Sequence, residues 1–234
     1  ARIQAIRDSL AAIHPARRDS VFNGADDDGS GTVTVLEVAE ALVAGPRPKR
    51  SILFVWHTAE EKGLFGSEYF TDHPTVPRES IVAQINMDMV GRGAASDETG
   101  KTKDDQSIHG GPDYVQLVGS RRLSTELGDL AEAVNLAGPK LKFDYSLDAN
   151  GHPMNIYCRS DHYSYARYGI PVVFFTTGGH RDYHMLTDEP QYIDYAKMAR
   201  VGMLAHDLAL AVANLDHRVV VDQPKPDPKG NCQQ

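Results

Sequence analysis

Glu60 and Glu61 stand side by side in His57-Thr58-Ala59-Glu60-Glu61, directly after the apolar run Ile52–Trp56. Such a pair suits metal hydrolysis: one carboxylate binds a divalent ion and its neighbour takes the proton of a water that the ion acidifies. Consecutive side chains diverge on an extended strand, but the turn Lys62-Gly63-Leu64-Phe65-Gly66 can bring both to one place. Asp88 follows a second apolar run, Ile81–Asn86, within two residues. His184, preceded by Tyr183, follows a third, Val172–Phe175, through a loop holding Gly178-Gly179. Open parallel sheets place their ligand sites beyond the carboxyl ends of the strands. Carboxylates and an imidazole from three strand ends would therefore meet on one rim.

The densest acidic stretch is Gly24-Ala25-Asp26-Asp27-Asp28-Gly29-Ser30-Gly31, and it has two readings. Asp26, Asp28, Ser30, Gly31, Thr32, Thr34 and Glu37 match positions 1, 3, 5, 6, 7, 9 and 12 of an EF-hand calcium loop. The chain has no second such loop, and Asn23-Gly24 interrupts the helix that should enter this one. The other reading is a carboxylate loop that feeds a transition-metal site and runs into a helix near Ser30.

The elements that must hold these groups follow from hydrophobic spacing. Ile52–Trp56, Ile81–Ile85 and Val172–Phe175 read as buried strands, with a helical crossover's length between the first two. Thr32–Val43 reads as a buried helix, Leu123–Leu136 as another, and Met198, Val201, Ala205, Leu208, Val212 and Leu215 as one face of a long helix. Ile3, Ile6, Leu10 and Ile13 predict a short helix ended by Pro15. Gly91–Pro112 reads as a long surface loop and Asp222–Gln234 as a mobile tail. Alternating helices and strands predict an α/β three-layer sandwich with a mostly parallel central sheet flanked by helices.

The sequence of 234 residues carries 24 Lys plus Arg against 32 Asp plus Glu, a formal net charge of −8. That balance argues against a nucleic-acid surface. No apolar run is long enough to span a bilayer, and Ala1–Arg18 has no secretory apolar segment. Two cysteines, Cys158 and Cys232, make neither a disulfide framework nor a cysteine zinc site, and they read as separate thiols. Ala95–Thr102 imitates a phosphate loop but lacks its first glycine and the helix after it.

Taken in order, residues 23–31, His57–Ser67, Asn86-Met-Asp-Met-Val-Gly91, Arg159-Ser-Asp-His162 and Asp182-Tyr-His184 resemble the co-catalytic zinc aminopeptidases. These are the secreted bacterial leucyl aminopeptidases, aminopeptidase Y and the peptidase domain of glutamate carboxypeptidase. The likeness spans residues 20–215. It implies a peptidase domain over residues 21–221 that removes N-terminal residues from peptides and binds two zinc ions when intact. Asp27 would bridge the ions, Glu61 and His184 would complete one site, and Asp88 would serve the other. Glu60 would be the general base and Tyr183 the oxyanion donor. Arg159, Asp161, His162 and Asp188 would lie on the substrate side or behind the ligands. The resemblance also implies secretion or a periplasmic location.

The family takes a further ligand from a His-x-Asp segment ahead of the Asp27 loop. The only upstream histidine here, His14, has no aspartate two residues on. The expectation is that this segment lies before Ala1, that residues 1–20 are part of an insertion, and that these 234 residues hold one zinc tightly. The absent segment would then be a partner of the chain. Two rivals remain: a glutaminyl cyclase, related by fold and using one zinc held by Asp, Glu and His, and a non-enzymatic calcium-binding module.

Overall fold

A computed structural model describes Gln4, Ala5 and residues 20–234. The expected helix over residues 1–14, the ligand candidate His14 and the insertion over residues 1–20 lie outside the described residues, save for Gln4, Ala5 and Ser20. A four-stranded sheet has the order β1 (Gln84–Met87), β6 (Val172–Thr176), β4 (Tyr114–Val118), β5 (Lys142–Asp144). The β1–β6 and β4–β5 pairings are parallel and β4–β6 is antiparallel.

Alternation along the central strands builds two cores. Val173 and Phe175 of β6, with Val115 and Leu117 of β4, face helices α1 (Gly31–Ala44), α3 (Thr125–Ala137) and α5 (Tyr195–Asn214). Val172 and Phe174, with Val118, face the other side, where Tyr165 and Ala166 of α4 (His162–Ala166) pack. Helix α2 (Phe65–Asp72) packs against α4 on that side. The result is the expected three-layer sandwich. Burial on both faces explains the near-continuous apolar sequences of β4 and β6.

The long helices obey local rules. Ser124 accepts a hydrogen bond from Leu127 N (3.1 Å) to start α3, and Asp194 accepts one from Lys197 N (3.0 Å) to start α5. Such caps satisfy main-chain donors that a helix start leaves open. Val201, Leu204, Ala205, Leu208 and Val212 form the buried stripe of α5.

Several expectations need correction. Helix α1 forms as expected but is not buried throughout. Thr34, Val38 and Leu42 point inward while Val33, Leu36 and Val43 are exposed, because one stripe of a helix suffices to face a sheet. Ile52–Trp56 takes no regular secondary structure and joins no sheet, since no strand lies beside it among the described residues. β1 begins at Gln84 rather than Ile81. The Gly91–Pro112 loop contains the hairpin β2 (Glu98–Lys101) and β3 (Ser107–His109), with Thr99 and Gly100 buried. Gly178, at φ 77°, lies so close under this hairpin that a Cβ would overlap Thr99 O. β4 was not foreseen.

Cys158 and Cys232 are joined by a disulfide, so the reading as separate thiols is overturned. Linear spacing, here 74 residues, carries no information on the proximity that bridging demands. The expected mobile tail is likewise pinned. Asp222 accepts from Thr125 N (2.9 Å), and Gln234 O accepts from Gly151 N (2.7 Å). Replacing Cys232 with Ser should destabilise the fold by about 4 kcal/mol on loop-closure entropy. Calorimetry would read this as a lower Tm, and an unchanged Tm would show that the bridge constrains nothing.

Candidate metal centre

Three chain segments bring their ends together above the carboxyl edge of the sheet. Asp88 extends β1 by one residue. Glu60 and Glu61 open a short 3-10 turn, Glu60–Lys62, entered through Ala59 at φ 58°. His184, at φ 57°, ends the loop that leaves β6. The fourth contribution is the acidic loop, whose Asp27–Asp28 peptide is cis.

That loop is held by hydrogen bonds within itself and to Asp188, Met89 and Gly91. Asp188, almost fully buried, accepts from Asp26 N (3.0 Å) and Asp27 N (3.1 Å). The Asp28 carboxylate accepts from Gly31 N (3.0 Å) and Met89 N (3.1 Å), tying the start of α1 to the end of β1. Gly31 is required there, because a Cβ would overlap Met87 O and the Asp28 carboxylate. The Asp26 carboxylate accepts from Gly91 N (2.7 Å) and the Ser30 hydroxyl (2.9 Å), and lies 3.2 Å from His180 Nε2.

This wiring removes the calcium reading. Asp26, Asp28 and Ser30 are engaged inside the loop, Thr34 donates to Ser30 O (2.7 Å), and Glu37 is exposed on α1. Asp27, which an EF-hand would leave without a ligating role, is the member that reaches the cluster. His184 Nε2 lies 3.0 Å from Asp27 Oδ2 and 2.8 Å from Glu61 Oε1. Among the described residues, Asp27, Glu61 and His184 form a three-donor group whose ligand atoms lie within 4.8 Å of one another. One imidazole and two carboxylates match the donor set of a catalytic zinc site with an open fourth position.

The electrostatics point to a cation. Burial, then the charges of Asp88, Glu61 and Glu60, pushes Asp27 up to about 8. Burial, with Asp88, Asp161 and Glu61, pushes Glu60 to about 8 against the opposing Arg159 guanidinium. Asp88 is raised to about 6 by burial, although Ser160 Oγ donates to it at 2.7 Å. Carboxylates crowded this closely repel one another's charges. A divalent ion among them inverts that balance, so the residues present fit a metal.

Tyr183 stacks on the His184 ring, with centroids 3.9 Å apart, and its hydroxyl accepts from Arg159 Nη2 at 3.3 Å. Asp161, raised by burial, bears electrostatically on both Glu60 and His57. Asp88 influences Asp27 but is not part of the three-donor group. His162 lies elsewhere: fully buried, it stacks on Phe174 at 4.7 Å, and burial lowers it to about 3, so it is a neutral core ring. Asp188 serves the main chain of the acidic loop. The sequence reading missed His180 beside Asp26. It quoted Asp182 in a motif but gave it no role; Asp182 pairs with buried Arg92 at 2.9 Å and accepts from Thr187 at 2.7 Å. Their only local signal was the run His180-Arg-Asp-Tyr-His184, in which polar residues crowd the loop after a buried strand.

A sandwich that gathers an aspartate, a glutamate and a histidine beyond its strand ends, with a second glutamate beside them, defines a metallohydrolase type of site. The chain belongs to peptidase family M28, whose sequence profile matches residues 7–209. Leucine aminopeptidase 1 of Aspergillus oryzae is 30% identical over 202 residues, covering 80% of this chain and 47% of that protein. The LapA aminopeptidase of Legionella pneumophila superposes with a TM-score of 0.65 at 26% identity, over 83% of this chain and 48% of that one. BSAP, a zinc aminopeptidase from Bacillus subtilis, shares the fold with a TM-score of 0.63 at 20% identity, over 86% of this chain and 45% of that one. The chain thus spans about half the length of the curated relatives it matches.

Proposed function

We propose that the protein is a zinc-dependent aminopeptidase, acting on peptides with a free N-terminus. The observation that carries this reading is the convergence of Asp27, Glu61 and His184 beside a second glutamate, Glu60, that is not part of the three-donor group, in a chain of family M28. Zinc held by that trio supplies Lewis acidity, making water acidic near neutral pH and polarising a carbonyl. Glu60 takes the proton of the attacking water and delivers it to the leaving amine nitrogen, so the scissile C–N bond breaks without expelling an amide anion. The Tyr183 hydroxyl donates to the oxygen that gains charge as water adds, and Arg159 orients that hydroxyl from the open side. Carboxylates dominate the rim, with Arg159 opposed to them, which favours the ammonium end of a peptide over its carboxylate end.

In these 234 residues the complete trio would hold one ion. A second ion would have only Asp88 and Asp27 to hold it, and carboxylates without an imidazole hold zinc poorly. The disulfide supports an oxidising location, secreted or periplasmic. No helix among the described residues is long and apolar enough to cross a membrane.

The test is release of the amine from leucyl-anilide by the zinc-loaded encoded protein. Activity should disappear on chelation and return with zinc. Ring closure of N-terminal glutamine without anilide cleavage would replace this reading with the cyclase, which the same trio would serve.

A further inference from the structure

Two of the loops that meet at the acidic centre are far apart in the sequence. The acidic loop carries Asp27, and residues 178–188 carry His184. At the centre they touch directly, with His184 Nε2 3.0 Å from Asp27 Oδ2. Behind the centre they touch at two further points, one four residues before His184 and one four residues after it, and both points fall on Asp26. The later point is Asp188, whose carboxylate accepts from Asp26 N (3.0 Å). The earlier point is His180, whose Nε2 lies 3.2 Å from Asp26 Oδ2 with both side chains fully buried.

The partners of the His180 ring place its proton. Asp182 N donates to Nδ1 at 3.2 Å, so Nδ1 offers its lone pair and the ring N–H sits on Nε2, facing Asp26. Neither Nε2 nor Asp26 Oδ2 has a hydrogen-bond partner elsewhere among the described residues, and both are shut off from solvent. A buried donor and a buried acceptor are costly when left unpaired; here each stands opposite the other. Asp26 Oδ1 is already taken by Gly91 N (2.7 Å) and the Ser30 hydroxyl (2.9 Å). From His180 the chain reaches His184 through tight turns. Tyr183 N donates to His180 O (3.1 Å) and Met185 N to Asp182 O (2.9 Å). The Asp182 carboxylate is fixed in turn by Arg92 and Thr187. His180 therefore cannot shift without carrying His184 along.

We infer that His180 is a positioning residue: through Asp26 it clamps the acidic loop to the loop of His184, and so sets the separation of Asp27 and His184 that a metal ion needs. The inference rests on the metal reading of the trio. His180 is not one of the three donors and acts on them only through the chain. The clamp has work to do before any ion binds, because the negative charges of Asp27, Glu61 and Asp88 push against one another. Held from behind at both His180 and Asp188, Asp27 stays opposite His184, and the ion meets ligands already in place. Groups that orient ligands in this way govern affinity without touching the metal.

The test compares His180→Asn with His180→Gln in the 234-residue chain. The Asn amide oxygen takes the place of Nδ1 and keeps the Asp182 contact, but leaves Asp26 Oδ2 unpaired. The longer Gln side chain brings an amide N–H to the place of Nε2 and keeps the Asp26 contact. His180→Asn should weaken zinc binding about 10- to 100-fold and alter the visible absorption spectrum of the cobalt-loaded chain, and His180→Gln should bring both back close to the parent. In metal-free samples, the amides of Asp26 and Asp27 should exchange at least about 10-fold faster in His180→Asn than in the parent or in His180→Gln. Parental zinc affinity, cobalt spectrum or amide exchange in His180→Asn overturns the inference, and so does a His180→Gln no better than His180→Asn. Nitrogen NMR of the unmodified metal-free chain decides the matter even if a variant does not fold: the His180 proton belongs on Nε2, and a proton on Nδ1 overturns the clamp. A parent that binds zinc but cleaves no leucyl-anilide ends the aminopeptidase reading and leaves the clamp standing. A parent that takes up no zinc ends the metal reading and this inference together.

Discussion

Replacing Glu60 with Gln is expected to lower kcat at least about 100-fold and to leave zinc affinity nearly unchanged. Gln keeps the shape and the hydrogen-bonding reach of the side chain, but its amide cannot take a proton from water. The three-donor group does not include Glu60; its neighbour Glu61 reaches His184 instead, at 2.8 Å. The surroundings of Glu60 suit a base, since burial and Asp88 raise its carboxyl to about 8 before any cation is bound. Steady-state kinetics on leucyl-anilide together with zinc titration separate the two effects. Zinc lost in step with activity would mean that Glu60 ligates, and the division of labour within the pair would fall.

Asp27→Asn is the second large effect. The change removes an anionic donor from the trio and with it the attraction that offsets the crowding of Glu60, Glu61 and Asp88. Zinc binding by the 234-residue chain should fall from about one tight ion per molecule to none at micromolar zinc, because a catalytic site with two remaining protein donors lacks its third. Glu37→Gln is the control: Glu37 is exposed on α1, and its loss should leave zinc binding intact. A calcium loop would reverse this ranking, since its twelfth position gives the bidentate ligand. Isothermal titration of both variants with zinc and with calcium reads the difference. Two tight zinc ions on the unmodified chain would contradict the single complete site.

The residues of the centre were legible in the sequence because short-range rules place them. Asp88 and His184 follow buried strands, whose ends are where a sheet delivers side chains to a rim, whereas Glu60 and Glu61 follow an apolar run that joins no sheet among the described residues. The helices α1, α3 and α5 were legible for a similar reason, since a repeat near 3.6 residues is written in any twelve-residue window. The acidic loop was half legible. Its pattern allowed two assignments, and the selection of Asp27 over Asp26 and Asp28 from the residues alone needed the tertiary partners Asp188, Gly91 and Met89.

What only the tertiary structure decided concerns pairing. Ile52–Trp56 and Val172–Phe175 look alike as sequences, yet one stands unpaired and the other is central, because a strand is defined by a neighbour and not by its own residues. Tyr114–Val118 escaped notice because Gln116 breaks its apolar run. That side chain is buried through contacts with Ser146 and Leu147, distant in sequence. Cys158 and Cys232 meet because the tail folds back over the second core, and His162 became a core ring because Phe174 and Tyr157 flank it. Composition and spacing determine what each segment can do locally. Which partner it finds depends on free energy summed over the whole chain, and no local window contains that sum.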